Sequence, residues 1–179
     1  MTTKHKLIIL DRDGTLIKHV HYLKDKNLVE LLDDVGASLK KLQDNGYIFA
    51  IATNQSVIGR KLASEREVSE VNERVFELLM KFGVEIKMLA LCGHAPTDNC
   101  LCRKPEIAMA TAINNFLGTT SDNTIVIGDS LTDKLFAQNF GAQFILIKRD
   151  SGSTFTHEFE TEHWSEVPKL VQLIENLYI

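Results

Sequence analysis

The segment Lys6-Leu-Ile-Ile-Leu-Asp11-Arg12-Asp13-Gly14-Thr15 joins a short apolar run to two closely spaced aspartates. The near-continuous hydrophobicity of residues 6–10 predicts a strand of a parallel sheet that is covered on both faces. In an open α/β sheet, ligands bind beyond the carboxyl ends of the strands. We therefore expect Asp11 and Asp13 to lie at a ligand-binding edge of such a sheet.

The spacing of these two carboxylates indicates chemistry on a phosphate ester. Carboxylates this close repel each other unless a cation lies between them, and Mg²⁺ prefers oxygen ligands and phosphate. One carboxylate could attack phosphorus and form an acyl phosphate, while the other protonates the leaving alkoxide and later activates water. Gly14 would let the backbone approach a phosphate closely. The alternative is a strand that ends at an aspartate in a solvated loop.

The rest of the chain alternates apolar runs with amphipathic stretches. Further buried strands are predicted at 47–53, 86–91, 124–127 and 144–147. Helices are predicted at 34–45, 64–82, 105–118 and 131–140, with a last one after Ser165. Ser64 and Glu67 have the spacing of a capping box, and Gly141 is placed as a helix stop. This alternation predicts an α/β fold, a doubly wound, three-layer, Rossmann-like parallel sheet.

Length and charge narrow the possible classes of protein. A chain of 179 residues suits a single domain spanning 1–179. Its net charge of −4 gives no electrostatic reason to expect nucleic acid or an anionic membrane as a partner. Residues 1–6 carry no secretory pattern, and no apolar run approaches the ~20 residues that span a bilayer. We expect a cytoplasmic monomer with a small phosphorylated metabolite as its partner, and we interpret the polar stretch 150–163 as a solvated loop.

Polar groups that suit a phosphate follow the second predicted strand. The hydroxyl and amides of Thr53-Asn54-Gln55-Ser56 could bind phosphate oxygens at the start of a helix. Taken alone, the Thr-Asn pair is also an ordinary helix cap.

Charged residues near two other strands complete the pattern. Lys104 could stabilise the charge on a pentacoordinate phosphorus, and Arg103 could bind substrate oxygens in a bidentate manner. Asp129 follows the fourth strand and could complete a Mg²⁺ shell, and Asp133, one helical turn later, could orient Lys104 or a metal-bound water. Separately, these residues could be surface cations and a helix N-cap. Together they place complementary groups at the ends of different strands, as phosphoryl transfer requires.

A short loop carries all three cysteines of the chain. Cys92, His94, Cys100 and Cys102 offer three thiolates and one imidazole within eleven residues. Cys₃His is a structural Zn²⁺ ligand set that leaves no position open for catalysis. We predict a structural Zn²⁺ that fixes the loop 92–102 and so orients Arg103 and Lys104. The alternative is three free cysteines and a loop histidine.

At this point the sequence closely resembles the haloacid dehalogenase (HAD) superfamily of phosphatases. The four matching motifs are Asp11-x-Asp13-Gly-Thr, Thr53, Lys104 and Asp129-x-x-x-Asp133. The Thr53-Asn54-Gln55 run and the Cys/His loop before Arg103-Lys104-Pro105 point to the D,D-heptose 1,7-bisphosphate phosphatase and histidinol-phosphatase branch. The resemblance implies a capless fold, since the chain between Thr15 and Ile48 has room for one helix only.

The resemblance also implies a role for each motif residue. Asp11 would be the nucleophile and Asp13 the acid/base, while Thr53 and Lys104 would hold the phosphoryl group. Mg²⁺ would be bound by the Asp11 side chain, the Asp13 backbone carbonyl and Asp129. Residues expected to bind substrate are His19, Tyr22, Asn54, Gln55, Ser56, Arg60 and Arg103.

Within this branch, the residues after Gln55 favour a sugar substrate. Ser56, Arg60 and Tyr22 resemble the heptose enzymes, so we predict hydrolysis of the 7-phosphate of a heptose 1,7-bisphosphate for a surface polysaccharide such as lipopolysaccharide. Two positions where the heptose enzymes have glycine hold Val57 and Lys61 here. The alternatives are a histidinol-phosphate phosphatase, a non-catalytic module that binds a phosphorylated ligand, and a phosphotransferase or nucleic-acid 3′-phosphatase.

Overall fold

The computed structural model describes residues 6–149 and 155–178 as one parallel β-sheet flanked by helices. The six strands have the order β3-β2-β1-β4-β5-β6. Their bounds are β1 Lys6–Leu10, β2 Tyr47–Asn54, β3 Ile86–Cys92, β4 Thr124–Gly128, β5 Gln143–Ile147 and β6 Glu160–Thr161. Every pairing between neighbouring strands is parallel.

Helices cover both faces of the sheet. Their bounds are α1 Val35–Asp44, α2 Ser56–Gly59, α3 Glu65–Met80, α4 Ala108–Leu117, α5 Leu131–Phe140 and α6 Val167–Tyr178. Helices α1, α3 and α6 pack on one face, and α4 and α5 pack on the other. The segment between β1 and β2 contains one α-helix and a short 3₁₀ turn at Lys26–Leu28, which leaves no cap domain there. Within the described residues, no helix has both the length and the hydrophobicity needed to cross a membrane.

The side chains of β1 show how the two layers form. Ile8 and Leu10 lie in the core beneath α1, α3 and α6, whereas Leu7 and Ile9 lie in the core beneath α4 and α5. All four are fully buried. Successive side chains of a strand point to opposite faces, so a continuous apolar run is what a doubly covered strand requires. The predicted three-layer parallel sheet is confirmed.

The predicted helix caps are present, but some helix boundaries differ from the prediction. Ser64 accepts a hydrogen bond from the Glu67 backbone, and the Glu67 carboxylate accepts one from the Ser64 backbone, which completes the capping box. Gly141 caps α5 with a left-handed conformation. The predicted start of α4 at Pro105 was wrong, because residues 105–107 form turns and the helix begins at Ala108. Helix α2 was not predicted, since one helical turn leaves almost no periodic pattern.

The C-terminal region is tied to the loop after β1. Trp164 is buried, and its indole N–H donates to the Thr15 carbonyl at 2.8 Å. Ser38 of α1 donates to the Trp164 carbonyl at 2.8 Å. These bonds join the turn before α6 to α1 and to the loop after β1, residues 11–15, which we call the motif loop.

The interpretation of residues 150–163 as a solvated loop is corrected in part. Glu160–Thr161 form the edge strand β6, which pairs with β5. Glu160 also forms an ion pair with Lys148 at 3.2 Å. A two-residue strand is too short to show an alternating pattern in sequence. Residues 150–154 of that prediction, and the predicted absence of a signal in residues 1–5, lie outside the described residues.

Candidate active site

A cleft of about 430 Å³ opens at the carboxyl edge of the sheet. It is lined by Asp11, Asp13, His19, Thr53, Asn54, Lys104, Asp129, Ser130, Leu131, Thr132, Asp133, Arg149 and Phe155. These residues lie at or beyond the carboxyl ends of β1, β2, β4 and β5, in the first turn of α5 or in the loop before α4. The sheet therefore gathers the predicted catalytic residues Asp11, Asp13, Thr53 and Lys104 around one space.

Lys104 is the central cation of this cleft. Its buried ammonium group donates to Asp11 Oδ1 at 2.7 Å, to Asp133 Oδ1 at 2.6 Å and to the Ala52 carbonyl at 2.8 Å. A lysine ammonium has three N–H donors, so all of them are used within the protein. The sequence-based expectation that Asp133 orients Lys104 agrees with this geometry.

Burial and neighbouring charges shift the pKa values of this pair. Burial raises the pKa of Asp11 to about 6, and Asp133 and Asp13 add to the effect while Lys104 opposes it. Burial alone would lower the pKa of Lys104, but Asp11 and Asp133 raise it above its usual value. Both pKa values rise because two carboxylates share one lysine. Lys104 has two negative neighbours and stays charged, whereas its single positive charge offsets only part of the effect of burial on Asp11.

The Asp13 carboxylate has different partners from that of Asp11. Arg12 donates to both Asp13 oxygens, through Nε at 3.1 Å and through Nη2 at 2.9 and 3.1 Å. Gln55 donates to Asp13 Oδ2 at 2.7 Å and to the Thr53 hydroxyl at 2.8 Å. Arg12 is itself fully buried and donates to Asn72 of α3 at 2.6 Å. The Arg12 guanidinium and the Gln55 side-chain amide thus hold the Asp13 carboxylate where it lines the cleft.

The loop before α4 is held in place by Asn54. Its side-chain oxygen accepts from the Lys104 backbone N–H at 3.0 Å, and its amide nitrogen donates to the Lys104 carbonyl at 3.1 Å. The sequence suggested a contact between Asn54 and substrate. The structure shows that Asn54 lines the cleft while its amide already positions the backbone of Lys104.

Three carboxylates that line the cleft could hold a divalent cation. Asp11, Asp129 and Asp133 each offer an oxygen, and these oxygens lie within 4.8 Å of one another. Asp129 Oδ2 is buried and makes no hydrogen bond of ordinary geometry, although the Arg149 guanidinium approaches it as an ion pair. Hard oxygen ligands at this spacing suit Mg²⁺, so the donor set fits the predicted metal.

The residues predicted to bind substrate divide into two groups. His19 and Asn54 line both the main cleft and an adjoining pocket of about 190 Å³, which Tyr22, Gln55 and Ser56 also line. Arg60 and Arg103 line neither cavity. Arg60 is exposed beyond α2, and Arg103 is partly buried with its Nη1 unpaired among the described residues.

Two of the residues that line the main cleft lie outside every sequence motif singled out above. Arg149 and Phe155 follow β5, the fifth strand. The predicted strand 144–147 ended one residue before Lys148-Arg149, so the rule that ligands bind beyond strand ends could have identified Arg149. Phe155 lies after the segment 150–154, and no sequence pattern indicated its position.

The cysteines and histidine of the loop 92–102 form a compact cluster. Cys92 Sγ lies 3.6 Å from Cys100 Sγ and 3.7 Å from His94 Nδ1, and Cys102 Sγ lies 3.6 Å from Cys100 Sγ and 3.2 Å from His94 Nδ1. Tetrahedral Zn²⁺, with bonds of ~2.3 Å to sulfur and ~2.0 Å to nitrogen, requires separations of ~3.8 Å between sulfurs and ~3.5 Å between sulfur and nitrogen. The cluster therefore fits the predicted Zn²⁺ set.

The chain is similar to known phosphatases in a family model and to individual proteins in sequence. Residues 6–149 match the family model described as polynucleotide kinase 3 phosphatase. The chain is 34% identical to the D-glycero-β-D-manno-heptose-1,7-bisphosphate 7-phosphatase of Haemophilus ducreyi, over 94% of this chain and 96% of that protein. It is 31% identical to the histidine biosynthesis bifunctional protein HisB of Legionella pneumophila, over 87% of this chain but only 43% of that protein.

A similar solved structure is the D,D-heptose 1,7-bisphosphate phosphatase of B. bronchiseptica in complex with magnesium and phosphate. The two share 25% sequence identity with a TM-score of 0.82, over 96% of this chain and 99% of that one.

Proposed function

This chain belongs to the HAD-superfamily phosphatases, in the D,D-heptose 1,7-bisphosphate phosphatase family, and we propose that it removes the 7-phosphate of a D-glycero-D-manno-heptose 1,7-bisphosphate. The observation that carries this proposal is that Asp11, which Lys104 contacts, lies close to Asp129 in a cleft that Asp13 also lines. The carboxylates and the lysine are the groups that an aspartate-based phosphatase needs. The similarity to the Haemophilus heptose-1,7-bisphosphate 7-phosphatase supports the choice of substrate.

In the proposed reaction, Asp11 and Asp13 act in sequence. An Asp11 oxygen attacks phosphorus, the bond from phosphorus to the ester oxygen breaks, and Asp13 gives its proton to the leaving sugar oxygen. Asp13 then takes a proton from a water molecule that attacks the phospho-aspartate, which releases inorganic phosphate and regenerates Asp11. Lys104 keeps Asp11 ionised and oriented, and Thr53 provides a hydroxyl beside the phosphoryl group.

We further propose that Asp11, Asp129 and the Asp13 backbone carbonyl hold Mg²⁺. The spacing of the Asp11 and Asp129 oxygens supports a metal at this point, as does the magnesium and phosphate named for the B. bronchiseptica enzyme. When bound, the ion would supply positive charge that draws the phosphoryl oxygens toward the carboxylates.

A structural Zn²⁺ in the loop 92–102 is proposed on separate grounds. The near-tetrahedral spacing of the Cys₃His cluster supports it. The loop continues directly into Arg103 and Lys104, so a fixed loop restricts the entry of the chain into the cleft. With all four ligands supplied by protein, this ion would have no catalytic position.

The pocket beside the cleft suits the sugar part of the substrate. Its walls include His19, Tyr22, Gln55 and Ser56, whose hydroxyl, amide and imidazole groups can bind sugar hydroxyls. We propose that this pocket selects the sugar, and that Arg60 and Arg103 reach substrate only if their side chains reorient. We also propose a cytoplasmic monomer without nucleic acid or membrane as partner, with a product that enters surface polysaccharide synthesis.

The test compares phosphate release from a heptose 1,7-bisphosphate and from histidinol phosphate, with Mg²⁺ present. We expect a higher kcat/KM for the heptose substrate, and no release from either substrate in Asp11→Asn. A preference of about tenfold or more for histidinol phosphate, ≈1.4 kcal/mol in transition-state binding, would identify the alternative that the Legionella relative suggests. No turnover of any phosphomonoester would favour a non-catalytic module.

A further inference from the structure

Among the charged side chains that line the main cleft, Arg149 is the one to which the proposed reaction gives no role. It lies two residues beyond β5 and lines the cleft together with Lys104. Its guanidinium contacts the Asp129 carboxylate, and about one third of its side chain is exposed to solvent. Arg149 therefore contacts the predicted metal ligand and remains accessible to solvent.

The backbone of the motif loop leaves space for this guanidinium. A Cβ atom at Gly14 would overlap the guanidinium carbon and both terminal nitrogens of Arg149. Gly14 also has φ +83°, a conformation that side chains rarely adopt. The lack of a side chain at Gly14 thus brings the Arg149 guanidinium against the loop that carries Asp11 and Asp13.

The main cleft has few charged N–H donors that are free to bind a phosphate. Among the described residues, the cleft is lined by the carboxylates Asp11, Asp13, Asp129 and Asp133 and by the cations Lys104 and Arg149. All three Lys104 donors are used inside the protein. A phosphate dianion in the cleft needs charged N–H donors, and a guanidinium offers up to five in a fork that matches phosphate oxygens.

We propose that Arg149 is a phosphate-binding residue that Asp129 holds in the ligand-free protein and that transfers to the phosphoryl oxygens when Mg²⁺ binds Asp129. This inference rests on the proposed function. The Arg149 guanidinium has one partner in each state, the Asp129 carboxylate without ligand and the phosphate with Mg²⁺ bound. Arg149 competes with Mg²⁺ for Asp129 before the phosphate arrives and binds the phosphate afterwards.

The proposal makes the two binding equilibria respond in opposite directions to loss of the guanidinium. In Arg149→Met, Asp129 has lost a competing cation, so Mg²⁺ should bind more tightly when phosphate is absent. The same variant has lost a bidentate, charge-assisted contact, so inorganic phosphate should bind more weakly at saturating Mg²⁺. A residue that only supports the fold would not separate the two affinities in this way.

Isothermal titration calorimetry measures both affinities without turnover. Mg²⁺ is titrated into the metal-free protein, and inorganic phosphate is titrated into the Mg²⁺-loaded protein. We expect Arg149→Met to lower the Mg²⁺ dissociation constant about threefold or more and to raise the phosphate dissociation constant about tenfold or more. Arg149→Lys should recover part of the phosphate affinity, because an ammonium keeps the charge but not the fork.

Lys148→Met is the matched control, since it removes a neighbouring positive charge that pairs with Glu160 away from the cleft. It should leave both constants within about twofold, because neither Lys148 nor Glu160 lines the cleft. Equal effects in Lys148→Met and Arg149→Met, or an unchanged phosphate or Mg²⁺ affinity in Arg149→Met, would overturn the proposal. A wild-type protein without phosphatase activity would contradict the proposed function instead, while the two titrations would still decide the role of Arg149.

Discussion

Asp11 and Asp13 have the same side chain two positions apart, but the fold gives them different surroundings. Asp11 is buried against Lys104 and near Asp133, whereas Asp13 is held by the Arg12 fork and the Gln55 amide. The identical carboxylates can therefore take different parts in one reaction. In the proposed reaction, Asp11 beside the buried Lys104 is the nucleophile and Asp13 is the acid/base.

The first prediction concerns Asp13→Asn. The amide keeps the size of the side chain but cannot act as a general acid or base, so kcat should fall by about 10²–10⁴-fold. Phosphate binding should change little, because the positive charges in the cleft are untouched. Steady-state kinetics and phosphate titration measure the two quantities. Turnover close to that of the wild type would remove Asp13 from the acid/base role.

The second prediction concerns the pH dependence of stability in the metal-free protein. The pKa of Asp11 is raised from 3.8 to about 6, chiefly by burial. Its stabilising contribution is therefore complete below pH 3.8 and is lost as the pH rises through about 6. Asn at position 11 does not titrate. Between pH 4 and pH 8, Asp11→Asn should thus gain stability relative to the wild type, by up to ~3 kcal/mol at 1.36 kcal/mol per pKa unit.

Urea denaturation of both proteins in EDTA across this pH range tests the sign. A difference in unfolding free energy that stays constant with pH, or that moves in favour of the wild type at high pH, would show that Asp11 is not destabilised by burial. His163→Gln is a suitable control, because it replaces an ionisable side chain that does not line the cleft.

At the scale of elements, every strand from β1 to β5 except β3 delivers a side chain to the main cleft from its carboxyl end. Strand β3 instead leads into the Cys/His loop, which returns to the cleft at Lys104. Asn54, at the end of β2, bonds the Lys104 backbone on both sides. Lys104 therefore has two supports, the loop before it and the β2 end beside it.

The third prediction follows from this double support. Removing Zn²⁺ with a chelator, or replacing Cys100 by serine, should raise KM several-fold and leave kcat within about an order of magnitude. The loop loses its constraint, but Asn54 still positions Lys104. Metal analysis and steady-state kinetics on the same preparations test this expectation. Anaerobically purified protein without Zn²⁺ would show that the Cys₃His interpretation is wrong.

For the whole molecule, the central sheet makes the two helical layers depend on each other. The strands that form one core also form the other through alternate side chains. Trp164, the single tryptophan of the chain, links the C-terminal region to the loop after β1. We propose on this basis that residues 1–179 fold as one domain.

The fourth prediction is that this domain unfolds cooperatively. Because Trp164 contacts the motif loop while helices lie on both faces of the sheet, its fluorescence and the far-ultraviolet circular dichroism should give the same urea midpoint. Both signals are recorded on one metal-loaded sample. Midpoints that differ beyond error would indicate that the C-terminal region unfolds separately.

Much of this architecture follows from patterns within short segments. Apolar runs identified β1 to β5, and the capping box and Gly141 identified helix ends. Since the ends of parallel strands meet at one edge, the same patterns brought Asp11, Asp13, Thr53, Lys104 and Asp129 together. Their individual roles remain predictions. The Cys/His spacing likewise predicted a cluster that the structure contains.

What the amino-acid sequence determined by itself was the fold class, the motif residues and the edge of the sheet where they meet, because strand burial and helix caps are local properties. Tertiary structure alone decided the pairings of Arg149 with Asp129, Arg12 with Asn72 and Trp164 with Thr15. The last two residues lie 149 positions apart in the chain. Contacts of this kind depend on how distant elements pack against the sheet, so they cannot be predicted from the pattern within either segment.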